Sequence, residues 1–294
     1  MRRNVSLTFF LLFVGLLGGC AQTPEVSQKP EMGNLLLAEP APVNPRSEMA
    51  IARYNQILTS TALSEDDKAE LHFQRGMLYD SVGLSGLAQF DYNQAIQLKP
   101  DLAEAYNSLG IHFIQQSEFI QAYDAFDSTL EINPDYHFAF LNRGIALYYG
   151  GRAELAIKDL DTFAKEDISD PFRALWAYFA NYEVSAEQGE SFLAGVRPAL
   201  NNDHWATSIV DMYLGLKSEN DVLNSLLNGV KSQRGLTDRL CEAYFYLGKY
   251  HQQRGNSGIA SNYFKLALST NVYDYVEHRY ARLELYRLRQ RAPE

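Results

Sequence analysis

Residues 103–134 read AEAYNSLGIHFIQQSEFIQAYDAFDSTLEINP, and the fold follows from how this stretch is spaced. Ala103, Tyr106, Leu109, Gly110 and Phe113 fall at three- and four-residue steps, which puts them on one face of a helix. A polar break follows from Gln115 to Ser117. Ala122, Tyr123, Phe126 and Leu130 then form a second apolar stripe, which Pro134 closes because proline lacks the N–H and disfavours helical geometry before it. The stretch predicts two helices joined by a tight turn.

Its neighbours repeat it. Gly76, Gly110 and Gly144 are spaced 34 residues apart, as are Ala88, Ala122 and Ala156, and Pro100 and Pro134 keep the same step. Aromatic residues follow in phase at Tyr92 and Phe126, and again at Tyr79 and Phe113. A fixed period of this length predicts stacked helix pairs with a continuous core. The repeated glycine and alanine are small because two helices crossing closely leave no room for more, and the aromatic fills what remains.

Slot by slot, the pattern resembles the tetratricopeptide repeat. The first unit carries Gly76, Tyr79, Ala88, Tyr92, Ala95 and Pro100; the second carries Tyr106, Leu109, Gly110, Phe113, Ala122, Phe126 and Pro134, with Thr129 where alanine is usual. The third carries Phe140, Gly144, Ala156 and Leu160, and Ile168 replaces its proline. A fourth returns out of register near Cys241, with Tyr244, Leu247, Gly248, Ala260, Phe264 and Ala267. Gly83, Gly151 and Gly255 occupy the inter-helix turn in three of the four. The expected fold class is all-α: a tetratricopeptide-repeat helical solenoid of hairpins with N- and C-terminal capping helices, since an array otherwise exposes its apolar ends.

The chain before the array has a different character. Arg2 and Arg3 precede the apolar run Leu7–Leu17, which is too short for a permanent membrane span, and residues 1–19 read as an export signal. Leu17-Gly18-Gly19-Cys20 resembles the bacterial lipoprotein cleavage box, which implies lipidation of Cys20. Ala21 rather than aspartate follows it, which in enteric-type lipoproteins implies the outer membrane. Residues 20–47 hold half of the 10 prolines and are expected to be a lipid-anchored tether. About 25 such residues reach on the order of 80 Å. Leu35-Leu36-Leu37 is its apolar island, expected to dock on the folded body or on a second copy.

A capping helix is expected within 48–68, three repeats over 69–170, two degenerate hairpins over 171–240, and a fourth repeat plus a last helix over 241–294. The formal charge is −10, or −12 once Arg2 and Arg3 are lost, which argues against a nucleic-acid-binding face. After Cys20, Cys241 is the one cysteine left, read as a small packed thiol; a Cys-dependent hydrolase is the competing reading. The six histidines show no metal-ligand spacing, and neither a phosphate loop nor a nucleophile elbow is present, so no cofactor, metal or catalytic residue is assigned.

What remains is a groove lined by the first helix of each pair. Its candidate residues are Glu70, Phe73 and Met77, then Asn107, Ile111 and Ile114, then Leu141, Ile145 and Tyr148. Phe73 and Leu141 stand where some such domains place a clamp for acidic C-terminal tails, so that clamp is missing. An apolar, tyrosine-bearing groove suits extended, moderately hydrophobic protein segments.

Leu141–Arg152 (LNRGIALYYGGR), Asp170-Pro171-Phe172-Arg173, Phe245–Tyr250 (FYLGKY) and Val276–Ala281 (VEHRYA) lie in order along the chain. On these the chain resembles the NlpI-type outer-membrane lipoproteins. The resemblance implies a homodimeric, periplasm-facing adaptor that scaffolds murein endopeptidases and delivers one such hydrolase to a periplasmic tail-specific protease. Within the same scaffold class, a type IV pilus pilotin or an outer-membrane assembly lipoprotein is the alternative.

Overall fold

Ser64 starts the array. Its hydroxyl accepts the backbone N–H of Asp67 at 3.1 Å and donates to the Asp67 carboxylate at 2.6 Å. That capping satisfies one of the orphan donors a helix start leaves, and the acids of the first turn suit the helix dipole. The computed structural model describes residues 35–37, 39–59 and 62–291. Among these every regular element is a helix, with no strand.

The helices run in pairs. α2 (Glu65–Ser81) packs on α3 (Ser85–Leu98), α4 (Ala103–Gln115) on α5 (Phe119–Ile132), and α6 (His137–Tyr149) on α7 (Ala153–Ala164). α8 (Pro171–Val184) pairs with α9 (Ala186–Val196), and the short α10 (Thr207–Tyr213) pairs with α11 (Glu219–Ser225). α12 (Gln233–Gln253) pairs with α13 (Ser257–Ser269), and α14 (Val276–Arg291) ends the described chain. The hairpin read from the sequence as the fourth repeat thus begins eight residues before Cys241, because Ser232 caps α12 by accepting from the N–H of Gly235 at 3.0 Å. These elements make an all-α tetratricopeptide-type solenoid.

The small-to-large contacts read from the period are the hinge of each pair. A Cβ added at Gly76 would sit 2.7 Å from a ring carbon of Tyr92, at Gly110 2.5 Å from Phe126, and at Gly248 2.6 Å from Phe264. In the third repeat Leu160 takes the aromatic's place, at 2.7 Å from the Cβ position of Gly144. No real Cβ fits there, so the helices approach as closely as their backbones permit. The turn between helices also repeats: Gly83, Ser117 and Gly151 have φ of +79°, +64° and +75°. The second repeat therefore puts a serine where left-handed backbone favours glycine.

The N-terminal boundary differs from expectation. The first helix, α1 (Pro45–Leu58), begins inside the segment read as tether, because Pro45 is preset for a first helical position and Asn44 caps it by accepting from Arg46 N–H at 3.0 Å. α1 packs on α2 of its own chain but buries no residue completely. Nor is the run before it free. Tyr244 Oη donates to the carbonyl of Leu36, Thr237 Oγ1 donates to the carbonyl of Glu39 at 3.1 Å, and Ala41 N–H donates to the carbonyl of Thr270 at 2.8 Å. Leu36 packs against the main core, and Ala41 is buried with Cys241 and Val272. The lipidation site Cys20 and the export signal lie outside the described residues.

Candidate protein-interaction surface

The nine groove positions share α2, α4 and α6 but not one environment. Ile114 and Ile145 are fully buried, and Phe73, Leu141 and Tyr148 are nearly so. Phe73 packs on Tyr92, ring centroids 5.8 Å apart. Asn107 is buried too, and accepts from Asn142 Nδ2 at 3.0 Å, a rung joining consecutive first helices. These six belong to the chain's own core rather than to an open face. Glu70 and Met77 are exposed and Ile111 is half-buried, so the accessible part of the array lies on α2 and α4.

The third repeat is covered by the C-terminal hairpin. Lys249 of α12 donates to Tyr148 Oη at 2.6 Å and pairs with Glu284 of α14 at 2.5 Å. Glu284 also accepts from Tyr149 Oη at 2.9 Å and from Gln252 Nε2 at 2.8 Å. The Lys249 ammonium faces the rings of Tyr148 at 4.9 Å and Phe179 at 5.1 Å. Burial by itself would neutralise both partners. It raises the Glu284 carboxyl, but Lys249 and the hydrogen bonds outweigh it and hold the group below the usual carboxylate range. Burial likewise lowers Lys249, and Glu284 with Tyr148 more than restores it. The pair is ionised at neutral pH.

A second electrostatic pattern follows the repeat. Arg75 forks onto Asp91 with Nε–Oδ2 2.7 Å and Nη2–Oδ1 2.6 Å, and Arg143 forks onto Asp159 at 2.7 and 2.9 Å. Both pairs span 16 residues within a hairpin and occupy the same repeat slots. In the second repeat those slots hold Leu109 and Ala125, both buried. Burial raises the Asp91 carboxyl, while Arg75 and His72 together keep it below its ordinary value.

Cys241 is fully buried, and burial pushes its thiol far above the usual range, which leaves it protonated and inert. A nucleophile there has no access to substrate. Among the described residues no group of three or more histidine, cysteine or acidic side chains is placed to hold a metal, and no helix is long and apolar enough to cross a membrane.

No family model matches the chain. Among solved structures, a tetratricopeptide repeat protein from Parabacteroides merdae is 14% identical over 84% of this chain and 100% of its own, with a TM-score of 0.47. YrrB, described as a TPR protein with an unusual peptide-binding site, is 15% identical over 76% of this chain and 95% of its own, with a TM-score of 0.43. MamA is 20% identical over 53% of this chain and 89% of its own, with a TM-score of 0.47. Likeness this distant adds nothing on partners; the repeat geometry stands on the glycine–aromatic contacts themselves.

Proposed function

We propose that this protein is a lipid-anchored adaptor of the bacterial envelope, facing the periplasm from the outer membrane. It binds murein endopeptidases and presents a client hydrolase to a periplasmic tail-specific protease, and so regulates cell-wall degradation and cell division. The observation that carries the scaffold part is the hairpin array, on whose first helices Glu70 and Met77 are exposed and Ile111 is half-buried. The lipoprotein-like box at Cys20 and the four stretches resembling NlpI-type lipoproteins support the anchor and the partners. Homodimerisation belongs to the same reading.

An adaptor works through effective concentration: two proteins on one scaffold meet at up to about millimolar local concentration without either site being tight. The test is a pull-down from solubilised envelopes with the full chain, compared with a Glu70→Arg, Met77→Asp variant. Exposed positions are chosen because changing buried Phe73 or Tyr148 would damage the fold itself. Recovery of murein hydrolases and a periplasmic protease, with the hydrolase lost in the variant, is the expected result. Secretin or barrel-assembly components in their place would overturn the hydrolase reading and favour the pilotin or assembly alternative.

A further inference from the structure

Where α2 and α4 run out, α14 packs on α4, and the three helices together line a cleft of about 260 Å³. Arg279 and Arg282 line it from α14, Asp80 and His112 from the array, and Tyr273 closes one end. The closure is tight: a Cβ at Gly83 would meet the Tyr273 ring at 2.8 Å. The interior groups on the array side are already engaged. Asp80 accepts from Tyr92 Oη at 2.9 Å and from His112 Nε2 at 3.1 Å.

The two arginines are not engaged in this way. Arg279 Nε donates to the carbonyl of Tyr273 at 3.0 Å, which fixes its side chain over the cleft. Among the described residues no carboxylate lies within ion-pair distance of Arg279 or Arg282, and Arg282 is exposed at the rim. Three residues apart on α14, the two guanidinium groups share one face of the helix and line one walled cleft with no acidic partner among the described residues.

We infer that this cleft binds a carboxylate at the end of, or projecting from, an extended polypeptide, with Arg282 and Arg279 as its anchors. A guanidinium matches a carboxylate in a planar two-point fork, and such charge-assisted bonds are stronger than neutral ones. The volume is below the range of pockets that take whole drug-sized ligands, so it fits the terminal group of a larger partner. The side chains of Gln115 and Gln116 border the same cleft; one N–H of each is used, on the carbonyl of Ile111 at 3.4 Å and on Gln89 Oε1 at 2.9 Å, and each amide has a second N–H for a peptide backbone. This site is separate from the exposed positions on the first-helix face, and its assignment to a polypeptide rests on the scaffold reading above.

The test uses the full chain in detergent, labelled with ¹⁵N at arginine Nε and titrated with N-acetyl-Leu-Ala as the free acid, as its amide, and with inorganic phosphate. The free acid is expected to shift the Arg282 and Arg279 resonances saturably, with a midpoint in the roughly millimolar range. The amide, and the free acid on Arg282→Gln, should be weaker by about tenfold or more, and Arg282→Lys should retain part of the effect. Unchanged resonances elsewhere establish that the variants are folded. Equal response to acid and amide, no saturable shift, or phosphate acting at lower concentration than the dipeptide overturns the assignment. Because the probe is not an envelope hydrolase, failure here leaves the pull-down result standing, and the reverse also holds.

Discussion

Lys249 Nζ lies 2.5 Å from Glu284 Oε1, with side-chain exposures of 3% and 1%, so a full ion pair is sealed between α12 and α14. It sits where those helices cover the third repeat at Tyr148 and Tyr149. Breaking such a pair leaves one uncompensated buried charge, whereas replacing both partners removes the desolvation cost of each.

Lys249→Met or Glu284→Leu alone should therefore destabilise the protein by about 3–5 kcal/mol, and the double variant by less than either. Urea denaturation of all four proteins measures this, and a double variant as weak as the sum of the singles would contradict it. The lowered Glu284 contributes stability above its ordinary carboxylate range that is lost as pH falls. The raised Lys249 contributes stability below about pH 10.5 that is lost as pH rises beyond it.

His278 titrates against folding. It is buried on α14, its Nε2 3.1 Å from the carbonyl of Leu268, and burial pushes its imidazole down to about 4. The unfolded chain then binds more protons between its ordinary pKa of 6.5 and about 4, so stability falls as pH drops through that window. The loss should approach about 2–3 kcal/mol at pH 4. His278→Gln keeps a donor for Leu268, and thermal melts from pH 7 to pH 4 should show a shallower decline than in the parent.

Gly110→Ala should cost about 1–3 kcal/mol, the usual penalty of overpacking, because the new methyl meets the fully buried ring of Phe126. Gly195→Ala is the control, since nothing lies within 4 Å of its Cβ position. Equal melting temperatures for the two variants would show that the hairpin can open without loss.

Ser117→Gly should stabilise the protein by about 1 kcal/mol. Its φ of +64° puts a side chain into left-handed backbone that glycine occupies without strain, as Gly83 and Gly151 do in the adjoining repeats. A chemical denaturation midpoint that moves downward would refute this.

How much of this was legible in the sequence depends on distance along the chain. The hairpins could be read because their apolar stripes and small residues are local, and the helical period ties spacing to facing direction. Even the Arg75–Asp91 and Arg143–Asp159 forks leave a trace, since both sit in matched slots; it goes unnoticed because Leu109 and Ala125 interrupt the series. The groove was legible only as a set of positions. Glu70 and Ile114 occupy equally plausible slots, yet one is exposed and the other fully buried.

What the sequence determined by itself, then, is the all-helical array, its pairing and its close glycine contacts, because each arises from residues within about one repeat. Only the tertiary structure decided which part of the array is open. That depends on α14 returning to α4 and α12, on Lys249 meeting Tyr148 across 101 residues, and on Leu36 reaching Tyr244 across 208. No spacing rule reaches so far, because the direction in which successive hairpins stack accumulates from every interface between them.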